Sequence, residues 1–216
     1  MSSILSVGLT GGIACGRTTI GKVFSRLGAC VIDMDTIAHD LVGPGGAAVD
    51  RVIGTFGERY RDAGGGVARR PLGAKVFADR EARGRLEEIL HPLILEESER
   101  MIREFAASTA RGVAITDAAL LVETGGYRRY RRLIVVTCDP VEQLGRLMRR
   151  DGLSEADARA RIDAQAPLED KVRVADYIID TTGTLEKSAQ RVHAVWAMLL
   201  EDLDRLPDLP ERRRHT

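Results

Sequence analysis

A glycine-rich segment directly after a short apolar run is the feature that most restricts the fold of this 216-residue chain. Residues 8–19 read G-L-T-G-G-I-A-C-G-R-T-T. The spacing of Gly11, Gly16 and Thr18 matches the P-loop, a turn between a buried strand and a helix that surrounds phosphate, except that Arg17 replaces the usual lysine. The pattern predicts an α/β fold with a phosphate site after its first strand. A glycine-rich turn without a ligand is the alternative interpretation.

The residue types in this loop suit a nucleotide triphosphate. Glycines allow a tight turn, so that several backbone N–H groups converge on phosphate at the positive end of the following helix. We assign ATP binding to Gly11, Gly12, Ala14, Cys15, Gly16, Arg17, Thr18 and Thr19. The Thr18 hydroxyl is expected to bind Mg²⁺. Arg17 keeps the positive charge but carries a wide planar fork, which predicts that ATP binding survives while phosphoryl transfer suffers.

Composition indicates an enzyme of the cytoplasm rather than a nucleic-acid or membrane protein. Acidic and basic residues balance at 32 each, so no net charge attracts nucleic acid or anionic lipid. Cys15, Cys30 and Cys138 are too few and too widely spaced for a disulfide framework or a zinc site, and Cys15 is interpreted as a small space-filling residue of the loop. No apolar run approaches the length of a membrane span. Nearly all basic residues are Arg, and this bias gives Arg17 a compositional explanation.

Strand-like and helix-like segments alternate along the chain. Short Val/Ile-rich runs separated by helical stretches predict a five-stranded parallel sheet flanked by helices. The predicted strands are residues 4–9, 30–32, 113–116, 133–137 and 177–179, and helices are predicted over 18–27, from Pro140 and over 184–206. Ligands of such sheets lie at the carboxyl ends of the strands. Residues from 207 onward are expected to be disordered.

Two acids follow the second predicted strand. Residues one position apart on a strand point to opposite sides, so one of Asp33 and Asp35 is expected to face the metal and phosphates while the other faces an acceptor. The alternative is that one of them N-caps a helix that begins near Thr36. A third acid, Asp117, ends the third predicted strand. The metal shell is one candidate role for Asp117, and the assignment stays open.

The chain resembles dephospho-CoA kinases along nearly its whole length. The similar segments are the loop at 8–19, V-I-D-M-D-T-I-A-H at 31–39, V-F-A-D at 76–79, R-L-E-E-I-L-H-P at 85–92, L-L-V-E-T-G at 120–125 and A-D-Y-I-I-D at 175–180. The resemblance implies a P-loop kinase fold and ATP-dependent phosphorylation of the ribose 3′-hydroxyl of dephospho-CoA. It also implies that Asp35 is the base, which leaves Asp33, with Thr18, for the metal. The chain departs from the family pattern at Ala68, Ala119 and Thr181, where Asp, Pro and Asn are usual.

The resemblance also implies three parts. Residues 1–35, 111–139 and 172–206 would form the P-loop core, 36–110 a helical acceptor-binding region and 140–171 a lid. Arg69, Arg83 and His91 are the candidate acceptor contacts, although exposed helical arginines are usually only solvated. A neutral, packed His91 is equally compatible with the pattern, and the helical stretch from residue 79 is expected to break near His91-Pro92.

The lid prediction depends on two arginine-rich helices around Asp151-Gly152. Arg150, and after it Arg146, are the candidates to stabilise the transferred phosphoryl group, with a solvated helix face as the alternative. Two other functions stay open: a kinase for another small-molecule acceptor, and a nucleotide-binding protein whose catalysis Arg17 impairs. The expected partner is the small-molecule substrate, and the expected assembly is a monomer or weak oligomer.

Overall fold

A computed structural model of the chain describes residues 3–208. Five strands form one parallel sheet in the order β2-β3-β1-β4-β5. They are β1 (Ser3–Gly11), β2 (Cys30–Asp33), β3 (Arg111–Asp117), β4 (Arg132–Thr137) and β5 (Tyr177–Asp180). All five predicted strands are confirmed, and β1 extends to the first glycine of the P-loop.

Helices connect and cover these strands. They are α1 (Arg17–Arg26), α2 (Met34–Leu41), α3 (Val49–Phe56), α4 (Arg69–Ala78), α5 (Arg80–Ser108), α6 (Pro140–Asp151), α7 (Glu155–Asp163), α8 (Leu168–Arg173) and α9 (Leu185–Asp204). Short 3-10 turns occupy Glu58–Tyr60, Gly126–Arg129 and Leu206–Asp208. Pro207 and Asp208, where disorder is predicted to begin, lie in the last of these turns, and residues 209–216 lie outside the described part.

The sheet buries apolar side chains on both faces, as a doubly covered parallel sheet must. In β4, Ile134 and Val136 join a core shared with α1 and α9, whereas Leu133 and Val135 join a second cluster with α8. This alternation follows from the two-residue period of a strand. Trp196 packs against the first core, where the centroid of its ring lies 6.2 Å from that of Phe24.

The register of the strands gathers their carboxyl ends at one edge. Leu9 pairs with Asp117 of β3, and Gly11 pairs with Val136 of β4. The loops after β1, β3 and β4 therefore begin next to one another. Side chains that follow these strands can meet the P-loop although they are more than one hundred residues away in sequence.

The described chain divides into two compact units. One comprises residues 3–32 and 104–208, and the other comprises Asp33–Arg103. The second unit has its own apolar core, which includes Val52, Ile53, Leu72 and Ile89. The finer division into core, acceptor-binding region and lid stays a prediction.

The predicted break at His91-Pro92 is wrong, because α5 continues through Pro92. A proline inside a helix removes one backbone hydrogen bond and strains the preceding turn. Leu86 and Ile89 before the proline and Leu93 after it pack into the same core, and this packing on both sides favours a continuous helix. His91 is exposed on α5, so the alternative of a packed His91 is also wrong.

Candidate active site

The P-loop backbone turns sharply between β1 and α1. Ala14 and Gly16 both have left-handed conformations, with φ of 59° and 86°. Gly11 must lack a side chain, because a Cβ there would lie 2.3 Å from the Val136 carbonyl oxygen. A left-handed turn at the start of a helix aims successive N–H groups toward a common point, which is the arrangement that binds phosphate. The geometry fits the predicted ATP site.

Backbone hydrogen bonds hold the loop in this shape. Gly12 donates to the Val136 carbonyl at 3.3 Å, and Cys15 donates to the Gly12 carbonyl at 3.1 Å. Thr19 donates to the Gly16 carbonyl at 2.9 Å, which closes the first turn of α1. These contacts attach the loop to β4 on one side and to its own helix on the other.

Two glutamine side chains complete the support of the loop. Gln143 Nε2 of α6 donates to the Ile13 carbonyl at 2.9 Å, and the Ile13 N–H donates to Gln165 Oε1 at 2.8 Å. The N–H and the carbonyl of Ile13 are therefore both hydrogen-bonded to side chains of the segment predicted to be a lid. Sequence reasoning assigned neither glutamine a role, because each lies more than 120 residues from Ile13.

Arg17 forms an ion pair with Asp117, in which Arg17 Nε contacts Asp117 Oδ1. The two side chains are 16% and 3% exposed, so the pair is largely removed from solvent. The register that sets Asp117 beside Leu9 brings this carboxylate to the P-loop. Asp117, whose role the sequence left open, thus holds the guanidinium that replaces the usual P-loop lysine.

Cys15 and Cys138 are buried free thiols whose sulfur atoms lie 3.0 Å apart. The contact with Cys138 and burial together raise the pKa of Cys15 far above its usual value. Cys15 is therefore a thiol rather than a reactive thiolate at neutral pH. This supports the interpretation of Cys15 as a space-filling residue.

The two predicted lid arginines have different surroundings. Arg146 donates to the Thr181 hydroxyl at 3.0 Å and to the Thr181 carbonyl at 2.8 Å, and it pairs with Glu142. Arg150 is about half exposed and pairs with Asp151, which raises the pKa of Arg150. The Thr181 hydroxyl also donates to the Cys15 carbonyl of the P-loop at 2.8 Å. The structure therefore brings Arg146, but not Arg150, to a loop that contacts the P-loop. The catalytic role of either arginine stays a prediction.

The loop after β5 is fixed by a residue that sequence reasoning missed. Arg191 of α9 donates to the carbonyls of Asp180 and Thr182 and also pairs with the Asp180 carboxylate. Asp180 in turn accepts hydrogen bonds from the N–H and hydroxyl of Thr182. No motif marks Arg191, because it lies on a helix whose pattern indicates only packing.

In the second unit, Asp33 is the N-cap of α2. Its Oδ1 accepts hydrogen bonds from the N–H groups of Asp35 at 2.9 Å and Thr36 at 3.2 Å. The capping alternative is therefore confirmed for Asp33. The expectation that both acids lie on one strand is wrong, because the cap starts a helix at Met34 and places Asp35 in its first turn.

The predicted acceptor contacts are all exposed side chains of this unit. Arg69 lies at the start of α4 and forms a hydrogen bond with the ring of His39 on α2. Arg83 and His91 lie on α5, eight residues apart. The structure joins Arg69 to a histidine that the sequence did not single out, and it shows no direct contact among the three predicted residues within the described chain. Their role in acceptor binding stays a prediction.

A profile of the dephospho-CoA kinase family matches residues 5–187. The chain belongs to the dephospho-CoA kinase family. It is 42% identical to the dephospho-CoA kinase of Cutibacterium acnes over 196 residues, which cover 91% of this chain and 85% of the relative. It is 41% identical to the dephospho-CoA kinase of Geobacter sulfurreducens, across 88% of this chain and 96% of the relative.

Solved structures support this family membership. Dephospho-CoA kinase from Campylobacter jejuni is 27% identical and superposes with a TM-score of 0.69, covering 92% of this chain and 98% of that one. The TT1252 protein of Thermus thermophilus is 28% identical with a TM-score of 0.75, over 93% and 98% of the two chains. Shikimate kinase from Bacteroides thetaiotaomicron, at 18% identity and a TM-score of 0.51, shares the fold alone. The predicted P-loop kinase fold is confirmed.

Magnesium stays a prediction for this member of the dephospho-CoA kinase family. Among the described residues, no group of three or more His, Cys, Asp or Glu side chains is arranged to hold a metal unaided. Mg²⁺ usually takes one or two protein oxygens and completes its shell with phosphate and water. The assignment of Thr18 and Asp33 to such a small set stays a prediction. Within residues 3–208 no helix is both long enough and apolar enough to cross a membrane.

Proposed function

We propose that the chain transfers the γ-phosphoryl group of ATP to the ribose 3′-hydroxyl of dephospho-CoA, which yields coenzyme A and ADP. The observation that carries the proposal is a P-loop with left-handed Ala14 and Gly16 within a chain that matches the dephospho-CoA kinase family over residues 5–187. The loop accounts for the triphosphate, and the family accounts for the acceptor.

In the proposed reaction Asp35 is the general base. Its carboxylate accepts the proton of the 3′-hydroxyl while that oxygen forms a bond to the γ-phosphorus and the bond to the β–γ bridging oxygen of ATP breaks. Asp35 lies in the first turn of α2, and the Asp33 cap fixes that turn. A base on a capped helix keeps one orientation, which favours in-line attack.

Thr18 and Asp33 are the proposed metal residues. Both cap bonds of Asp33 go to Oδ1, so we assign Oδ2 to a water of the Mg²⁺ shell. When bound, Mg²⁺ neutralises negative charge on the β- and γ-phosphates. Arg17 is assigned to phosphate binding, with Asp117 orienting its guanidinium.

The remaining assignments rest on charge and position. Arg146 and Arg150 are proposed to stabilise the transferred group, while Arg69, Arg83 and His91 are proposed to bind the phosphates and pantetheine arm of the acceptor. We further propose that the protein acts in the cytoplasm as a monomer or weak oligomer, without a nucleic-acid partner.

The test of the proposal is ADP formation by the wild-type chain and by Arg17→Lys, with dephospho-CoA and Mg·ATP. We expect both to turn over, with Arg17→Lys faster by up to about tenfold, because each cation can neutralise phosphate charge while the wide planar fork of Arg17 hinders phosphoryl transfer. Arg17→Ala should lose roughly a hundredfold or more, as expected on removing a group that stabilises transition-state charge. Arg26→Lys, an exposed substitution in the last turn of α1, is the matched control and should have wild-type activity.

Other outcomes separate the alternatives. The Arg17–Asp117 ion pair is the observation that favours a nucleotide-binding protein with impaired catalysis. If the wild type is inactive and Arg17→Lys is active, that alternative replaces the proposed function for this chain. ADP formation with another alcohol but not with dephospho-CoA, across a panel of acceptors, would instead show a kinase of different specificity.

A further inference from the structure

A lysine that the proposed chemistry does not use lies fully buried near the P-loop. The Lys171 side chain of α8 is 0% exposed, and its ammonium lies 2.7 Å from Glu123 Oε1. The ammonium also donates to the carbonyl oxygens of Gly11 at 3.4 Å and Ala119 at 3.3 Å. A buried charge is tolerated only when it is paired and hydrogen-bonded, so these three contacts specify one position for the ammonium.

The chain next to Lys171 makes a second contact with the loop. Glu123 Oε1 also accepts a hydrogen bond from the Ala166 N–H at 3.3 Å, and the preceding residue, Gln165, accepts the Ile13 N–H at 2.8 Å. Residues 165–171 therefore engage the P-loop backbone at the Gly11 carbonyl and at the Ile13 amide. These two groups flank Gly12, so fixing them restricts the peptide planes on either side of that glycine.

The helix that carries Lys171 is itself held by packing. Leu168 and Val172 of α8 lie against the cluster of Leu121, Leu133 and Val135 on one face of the sheet. The ammonium is thus fixed relative to β4, to which the P-loop is also hydrogen-bonded through Gly12. An apolar core role alone would not require a cation at this position.

We propose that Lys171 and Gln165 are positioning residues that hold the Gly11–Ile13 backbone in its phosphate-binding geometry, which deepens and rests on the kinase function proposed above. Preorganised backbone donors stabilise the charge that develops during phosphoryl transfer, and they do so only while their direction is fixed. Loosening the loop therefore lowers kcat and ATP affinity, whereas it leaves the affinity for the acceptor unchanged.

The test replaces the buried ion pair with neutral groups, as Lys171→Met together with Glu123→Gln. Removing Lys171 alone would leave the Glu123 carboxylate, which is 20% exposed, without its cation and would destabilise the fold, whereas the double variant avoids that charge. We expect kcat to fall roughly tenfold or more and the Kd for ATP to rise several-fold, with the KM for dephospho-CoA within about twofold of wild type. Arg132→Met with Asp202→Asn, which removes another largely buried ion pair of the same unit, is the matched control and should keep wild-type kinetics.

A second variant keeps the test independent of the ion pair. Gln165→Leu changes a half-buried side chain, leaves Lys171 and Glu123 in place and should give the same selective loss of kcat and ATP affinity. Wild-type kcat and ATP affinity in both variants would overturn the proposal, as would an equal loss in the Arg132/Asp202 control. If the wild-type chain forms no ADP with dephospho-CoA, the proposed function fails. In that case the positioning role is tested separately by calorimetry. An ATP affinity of the variants equal to that of the wild type would overturn it.

Discussion

Asp202 of α9 is a largely buried carboxylate at the centre of a hydrogen-bond network. It accepts two hydrogen bonds from Arg132, at 2.7 and 2.8 Å, and one from the Tyr177 hydroxyl at 2.5 Å. Burial opposes ionisation of Asp202, but the contacts with Arg132 and Tyr177 outweigh it, and the pKa of Asp202 lies below its usual value. The network joins β4, β5 and α9.

The first prediction concerns the pH dependence of this network. Asp202→Asn should lower the free energy of unfolding at pH 7 by about 1–3 kcal/mol, because it removes a largely buried charged hydrogen bond. A depressed folded pKa stabilises the fold above the unfolded value of about 3.9, and that contribution is lost as pH falls through the folded pKa. Urea unfolding at pH 7 and pH 3 should therefore show the difference between wild type and variant shrinking in acid.

Asp204→Asn is the control for this prediction. Asp204 lies on α9, as Asp202 does, and pairs with Arg111 of β3, but the Asp204 side chain is 66% exposed. Exposed ion pairs contribute little, so the variant should stay within about 1 kcal/mol of wild type at pH 7. An equal loss in both variants would contradict the assignment to burial.

At the scale of elements, α6 shows how much a local pattern can specify. The Asp139 side chain accepts hydrogen bonds from Val141 and Glu142, Pro140 occupies the first helical position, and Gly152 ends the helix with a φ of 65°. In the sequence, Pro140 indicates the start of this helix and Gly152 indicates its end. Because α6 carries Gln143 and Arg146 to the P-loop and to Thr181, its start and end set the position of both.

The second prediction tests the cap of α6. Asp139→Ala should cost about 1 kcal/mol of stability, because two N–H groups of the first turn lose their acceptor. Asp139→Asn keeps an acceptor and should lose only a few tenths of a kcal/mol. Guanidinium unfolding of the two variants measures the difference, and an alanine variant as stable as the asparagine variant would contradict the capping role.

Elements defined by local spacing could be predicted, whereas those decided by distant packing could not. The strands, the P-loop turn and the helix from Pro140 depend on neighbouring residues, so the sequence pattern predicts them. The continuity of α5 through Pro92 depends on a core that includes Val42 and Val52, which no local pattern contains. The sequence predicts the cap at Asp33 only as an alternative, because strand-like and helix-like patterns overlap there.

At the scale of the whole molecule, the sequence predicted which residues gather at the sheet edge but not which of them touch. Parallel topology alone brings the end of β3 to the P-loop, yet the pairing of Asp117 with Arg17 depends on side-chain geometry. Lys171 and Gln165 contact P-loop residues that lie 160 and 152 positions away in sequence, and no local pattern predicts these contacts. Long-range polar contacts were therefore the part of the site that required a structure.

The third prediction concerns the response of the folded chain to nucleotide. A ligand that binds only the folded state stabilises it by about 2.7 kcal/mol at one hundred times its Kd. For a chain of this size, that corresponds to a rise in Tm of roughly 5–10 °C. Mg·ATP should give this shift in a thermal scan, whereas adenosine, which lacks phosphates, should give much less. A shift with adenosine equal to that with ATP would contradict a phosphate-centred site.

The burial of Lys171 also determines how the protein reacts with amine reagents. The chain has only four lysines: Lys22, Lys75, Lys171 and Lys187. Lys22 and Lys187 are exposed and Lys75 is partly exposed, so a water-soluble acylating reagent meets three side-chain amines on the folded chain. Acylation of the fourth requires α8 to leave its place. A peptide mass map of that one modification therefore reports, at Lys171 and without a spectroscopic label, the opening of the segment beside the P-loop.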